Sequence, residues 1–217
     1  VMNLTQFQGS GKTLLLWLPS ERGFGQGYVP VALSLAAMDY DVWTVDLHNS
    51  YIIPTSRESL QEVDMSDLLE LIDSAQQLGF ERIFVLSSSR GMQLALRMAY
   101  LWQQQNKASD LIKGLLSFSP HLIEGRPEMG QDASYIDIAS YSNLPVYLLL
   151  PQYSTKFARS SEIAEKLKEG GSSVYLQALR GIQDGFHMRP NEDLTDQDLL
   201  MRGQLGQILG SAISLLR

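Results

Sequence analysis

The sequence predicts an α/β fold: a mostly parallel central sheet with helices on both faces, in one domain. Three observations predict it. Short apolar runs alternate with helix-like segments along all 217 residues, an order that implies right-handed β-α-β units. Several of those runs are apolar at every position instead of every second one, as in strands buried on both faces. The composition, 44% hydrophobic and 19% charged, is that of a globular chain long enough to bury its own core.

The elements follow in order. Leu14 to Leu18 is a continuous apolar run that stops at Pro19 and opens into a loop carrying Gly23, Gly25 and Gly27, which predicts a strand and then a loop. Val29 to Met38 predicts a helix, and Val42 to Val45 a strand ending at Asp46. Between 63 and 78, Met65, Leu68, Leu69, Ile72 and Ala75 recur at helical spacing with Asp64, Asp67, Glu70, Asp73 and Gln77 on other faces, and Gly79 is the stop. Arg82 to Leu86 predicts a strand and Met92 to Gln104 a helix. Leu111 to Phe118, Leu144 to Leu150 and Ser173 to Leu179 predict three more strands. Ser160 to Glu169 and Asp196 to Leu216 predict helices. The stretch from Pro120 to Asn143 has no strong periodicity and reads as a small cap or a long loop.

Charge and composition exclude several functions. A net charge of −7 without any run of Lys and Arg argues against a nucleic-acid partner. No apolar stretch approaches the ~20 residues that span a bilayer. The absence of cysteine removes disulfides, thiolate metal sites and a cysteine nucleophile. Three scattered histidines without His-Glu-x-x-His spacing suggest no metal, and no cofactor is expected. The compartment is left open between the cytoplasm and an exported location with the leader removed. Gly9-Ser10-Gly11-Lys12-Thr13 matches the end of a phosphate-binding loop, but the first required glycine is Gln6 and a strand follows instead of a helix. It is expected to be a hairpin turn.

The chemistry centres on Ser87-Ser88-Ser89-Arg90-Gly91, between a predicted strand and a predicted helix. A sharp turn there strains its central residue, and the positions two before and two after must be small to let strand and helix approach. Only Ser89 has a glycine two positions later. Its hydroxyl would stand at a helix start, where backbone N–H groups and the positive end of the helix dipole favour a developing oxyanion. The alternative is a serine-rich loop that caps the helix.

With Ser87 in place of the first glycine of a Gly-x-Ser-x-Gly nucleophile elbow, the chain resembles the α/β-hydrolase superfamily over nearly all its length. The strand Thr13 to Leu18 feeding a Gly-rich loop, and Ala36 to Leu47, support the same resemblance. The resemblance implies a serine hydrolase of a small-molecule carboxylic ester or thioester, with Ser89 as nucleophile. Its chain order implies His187, in the loop Gly181 to His187, as the base. His48 and His121 are expected to be loop or pocket residues. The oxyanion hole would be formed by Arg90 N–H and by backbone at Ser20 or Glu21.

The superfamily's acid should follow Leu144 to Leu150, where this chain has Pro151-Gln152-Tyr153-Ser154-Thr155 and no carboxylate. Asp184, in the histidine's own loop, and Glu124, after the preceding strand, stand as equal candidates. Each has the alternative of being a solvated loop carboxylate, and without an acid a backbone carbonyl, water or Gln152 would have to orient the imidazole. Two other readings stand beside hydrolysis: a hydrolase-fold protein that binds a ligand or partner without turnover, and an acyltransferase using the same residues.

Overall fold

The computed structural model describes residues 2–125 and 131–216. Seven strands form one sheet: β1 (Asn3–Phe7), β2 (Thr13–Trp17), β3 (Tyr40–Asp46), β4 (Arg82–Ser88), β5 (Ile112–Phe118), β6 (Val146–Pro151) and β7 (Val174–Leu179). Their order across the sheet is β1-β3-β2-β4-β5-β6-β7, and every neighbouring pair is parallel except β1 with β3. The helices are α1 (Tyr28–Ala36), a short α2 (Leu47–Tyr51), α3 (Met65–Gln77), α4 (Gly91–Gln105), α5 (Ser160–Glu169) and α6 (Asp196–Leu215).

The apolar runs become central strands because both of their faces are covered. On β2, Leu14 and Leu16 join the core under α3, α4 and α5, while Leu15 and Trp17 join the core under α1 and α6. All five β2 residues are buried, and each large apolar side chain removed from water contributes roughly 1.5–3 kcal/mol. The terminal helix α6 starts with a capping box in which Thr195 and Asp198 satisfy each other's backbone N–H groups.

Two sequence expectations change. Gly9 to Thr13 is not a hairpin turn: β1 pairs with β3, so the chain crosses over β3 to enter β2. The segment is held by β3's own approach, with Gly11 N–H donating to Asp39 O, and a Cβ on Gly11 would lie 2.3 Å from that carbonyl oxygen. Strand β1 itself is new. Its sequence, Asn-Leu-Thr-Gln-Phe, is polar enough to stay half exposed as an edge strand.

Among its described residues, the stretch from Pro120 to Asn143 contains a bridge between Ile123 and Tyr135 and a 3₁₀ turn, Asp137–Tyr141. Residues 126–130, within the stretch expected to be a small cap or a long loop, lie outside the described residues.

Candidate active site

Ser89 occupies the junction of β4 and α4 with φ +49°. This left-handed conformation costs a non-glycine residue on the order of 1–3 kcal/mol, so the surroundings must hold it. They do: Ser89 N–H donates to Phe118 O at the end of β5, and Ser89 O accepts from His121 N–H, both at 3.0 Å. The glycine two positions on is required by close approach. A Cβ on Gly91 would lie 2.2 Å from Pro19 O, in the loop after β2. Ser87, two positions before, is fully buried and its hydroxyl is satisfied by Ser117 Oγ at 3.2 Å.

His187 sits in the loop after β7, buried at 2% exposure, with its ring stacked on Phe118 at 4.0 Å between centroids. Helix α6 holds this loop at both ends. Asp198 accepts from Gln183 N–H at 2.9 Å, and Arg202 donates to Arg189 O at 2.8 Å. The loop after β2 clamps it from the other side through Gln26 and Gly27 N–H to Met188 O, each 3.0 Å.

Ser20, Glu21, Ser88, Ser89, Asp184 and His187 all line one cavity of about 320 Å³. The sheet and two loops thus bring most of the expected site residues together. Their hydrogen bonds, however, are not those the resemblance implies. His187 Nε2 is paired with Ser88 Oγ at 2.9 Å, and no hydrogen bond joins it to Ser89. Ser89 Oγ donates instead to Glu21 Oε1, and Arg90 N–H donates to Glu21 Oε2, both at 3.3 Å. The Glu21 side chain therefore sits on the donor expected for an oxyanion. Its main chain is pinned by His48 Nε2 at 3.2 Å and by the Ser59 hydroxyl at 3.3 Å, both on Glu21 O. Ser20 closes the same loop, donating from Oγ to Gly23 O and accepting from Arg22 N–H.

Asp184 shares the cavity with His187 but is engaged elsewhere: it accepts from Ser119 Oγ at 2.7 Å and Ser154 Oγ at 3.1 Å, and Lys156 Nζ lies 3.5 Å away. Burial works against its charge, yet these hydroxyls and the lysine hold its carboxyl below the usual range. Nδ1 of His187 has no hydrogen-bond partner among the described residues. Burial pushes the imidazole down to about 3, opposed by the Asp184 charge and reinforced by Arg202. Glu124 is exposed and lines neither this cavity nor the one beside it. Gln152 is spent on Gly181 N–H at 2.7 Å. No group of His, Asp and Glu suited to a metal ion occurs among the described residues.

The elbow signature, which selects Ser89 by the glycine two positions later, gives no sign of Ser88 as the histidine's partner. Nor does it give any sign of the Glu21 side chain, since the resemblance implies only backbone donors in that loop.

No family model and no curated protein matches the sequence. Solved structures do match the fold. The chain is similar to EstE1, a thermophilic carboxylesterase cloned from a metagenomic library, at 18% identity and TM-score 0.67 over 97% of this chain and 84% of that one. It is similar to Est1E from Butyrivibrio proteoclasticus, solved with ferulic acid bound, at 14% identity and TM-score 0.66 over 98% and 96% of the two chains. A monoacylglycerol lipase from Paleococcus ferrophilus matches at 15% identity and TM-score 0.59, over 95% and 99%. With its mostly parallel seven-stranded sheet, helices on both faces and a strained serine between β4 and α4, the chain has the α/β-hydrolase fold.

Proposed function

We propose that this chain is a serine hydrolase of carboxylic esters or thioesters. The observation that carries the reading is the left-handed turn at Ser89, held rigidly in a cavity also lined by His187. The turn presents the hydroxyl at the N-terminus of α4, where charge developing on a carbonyl oxygen is favoured. The esterase and lipase names of the similar structures agree with this reading.

In this mechanism Ser89 Oγ attacks the ester carbonyl and its proton passes to His187 Nε2. The oxyanion takes the place of the Glu21 carboxylate on Arg90 N–H, with backbone at Ser20 or Glu21 as the second donor. His187 then protonates the departing alcohol or thiol, leaving an acyl ester on Ser89, and a water activated by His187 releases the acid. Two contacts of the resting arrangement must change: the imidazole moves from Ser88 to the neighbouring serine, and Glu21 leaves the oxyanion donor. Asp184 is the carboxylate nearest this role by position, since it lines the cavity and Glu124 does not.

A second reading makes Ser88 the nucleophile, favoured by its 2.9 Å hydrogen bond to His187. Its burial at 2% exposure disfavours attack on a bound ester.

Labelling with a fluorophosphonate separates these readings. A single adduct mapped to Ser89, lost in Ser89→Ala and kept in Ser88→Ala, is the expected result. An adduct on Ser88 transfers the nucleophile to the second reading. A parent protein that takes no adduct and hydrolyses no activated ester sinks both and leaves a binding protein on this fold.

A further inference from the structure

Beside the serine cavity lies a larger one of about 920 Å³, lined by Arg22, Arg57, Arg90, Lys156 and Arg159. Five of the chain's seventeen Lys and Arg residues thus face one space in a protein of net charge −7. Glu21 is the only carboxylate among the described lining residues. Arg159 is neutralised by Glu162 at 2.8 Å and Lys156 leans on Asp184 at 3.5 Å. Arg22, Arg57 and Arg90 have no ion pair among the described residues.

Cations gathered at this density repel one another, and the repulsion is relieved when an anion sits among them. Guanidinium groups suit carboxylate and phosphate oxygens in particular, because their N–H donors form a planar fork. Two further observations point to an anion. His121 lines the same cavity with Nε2 buried and unpartnered among the described residues, and burial together with the charges of Arg90, Lys156 and Arg57 pushes its imidazole down to about 4. At the junction with the serine cavity, the chain's own Glu21 carboxylate already rests on Ser89 Oγ and Arg90 N–H. Glu21, Arg22 and Lys156 line both cavities, so the two spaces adjoin along these residues.

We infer that the cationic cavity binds an oxyanion group of the substrate, a carboxylate or phosphate carried beyond the ester on its acyl or alcohol part. The inference rests on the hydrolase reading for its chemistry, but the anion site itself does not need turnover. An ester with its carbonyl at Ser89 would extend its anionic end toward Arg57, and its negative charge would help drive Glu21 away from the oxyanion donor.

Calorimetry with inorganic phosphate and with glutarate tests the site directly, on the parent and on an Arg22→Gln, Arg57→Gln double variant. Both substitutions are at exposed positions, and circular dichroism checks the fold. Saturable binding of either anion, weakened about tenfold or more in the variant, is expected for the loss of two charge-assisted partners; the tighter of the two identifies the oxyanion. In parallel, kcat/KM for 4-nitrophenyl glutarate is compared with that for the neutral 4-nitrophenyl pentanoate of matched length. The anionic ester should be preferred, and the double variant should shrink the ratio. Anion binding without turnover of either ester keeps the site and removes the hydrolase reading. Turnover with no preference and no anion binding overturns the site and keeps the hydrolase reading.

Discussion

The imidazole of His187 is hydrogen-bonded to Ser88 at 2.9 Å, one residue short of the serine whose backbone forms the strained turn. Adjacent residues at the end of a strand point to opposite faces, yet the sharp turn brings both serines to the same cavity. Under the hydrolase reading the imidazole must exchange the Ser88 hydroxyl for that of Ser89. If Ser88 only parks the base, Ser88→Ala should change kcat/KM for a neutral ester by less than about tenfold, while Ser89→Ala should lower it by about a thousandfold or more. Steady-state kinetics on the two variants check this, and equal losses would mean that Ser88 takes part in the chemistry.

Glu21 occupies Arg90 N–H, the donor that the proposed mechanism assigns to the substrate's oxyanion. Glu21→Ala removes that carboxylate but leaves the main chain of the loop pinned by His48 and Ser59, so the backbone donors should keep their place. Labelling by a small neutral fluorophosphonate should become several-fold faster, roughly the loss of one weak charge-assisted hydrogen bond. Slower labelling would assign Glu21 a supporting part in activating Ser89.

The two candidate acids are separated by position. Asp184→Asn weakens the contact with Lys156 and removes the negative charge that acts on His187. It should lower kcat by about tenfold or more, as expected when an imidazolium loses its supporting charge. Glu124→Gln, on an exposed residue outside both cavities, should leave kcat within about twofold, as surface changes usually do. The reverse order of effects would make Glu124 the acid.

Strands such as Thr13 to Trp17 could be read from sequence because burial on both faces demands an uninterrupted apolar run. The small residue at Gly91 could be read because a turn this tight has a steric requirement, here met by Pro19 O. Edge strand β1 could not, since half exposure erases its apolar signal, and its pairing with β3 leaves no local mark. The cationic cavity is assembled from residues 21, 22, 55–57, 90, 121, 123, 125, 155, 156 and 159, so no basic run announces it. Nor does sequence say that a glutamate side chain, free to rotate about several bonds, rests on the serine turn.

The close approach at Gly91 carries its own test. A methyl group there would meet Pro19 O at 2.2 Å, and main chain on both sides is tied into the sheet, so neither can yield cheaply. Gly91→Ala should destabilise the protein by about 1–3 kcal/mol, in the range of overpacked core positions. Urea unfolding measures it, and a cost near zero would show that α4 can slide away from the loop after β2.

Acid should unfold this protein partly through His187. The buried imidazole is held neutral, its pKa pushed from 6.5 down to about 3 by burial, whereas in the unfolded chain it titrates at its ordinary value. Above pH 6.5 both states are neutral and the group has no effect on the pH dependence. Between pH 6.5 and about 3 only the unfolded chain binds the proton, so stability falls as pH falls, by about 1.4 kcal/mol per unit. His121, pushed down to about 4 by burial and nearby cations, adds loss of the same sign over a narrower window. Asp184 and Asp198, both held below their usual range, contribute further loss once the pH reaches the carboxylate range. His187→Gln keeps a polar side chain at the site but cannot take the proton. Urea unfolding at pH 7 and pH 5 should therefore show the parent losing about 2 kcal/mol more than the variant over that interval. Equal losses would mean that His187 is already protonated in the folded protein, stabilised there by the nearby Asp184 carboxylate.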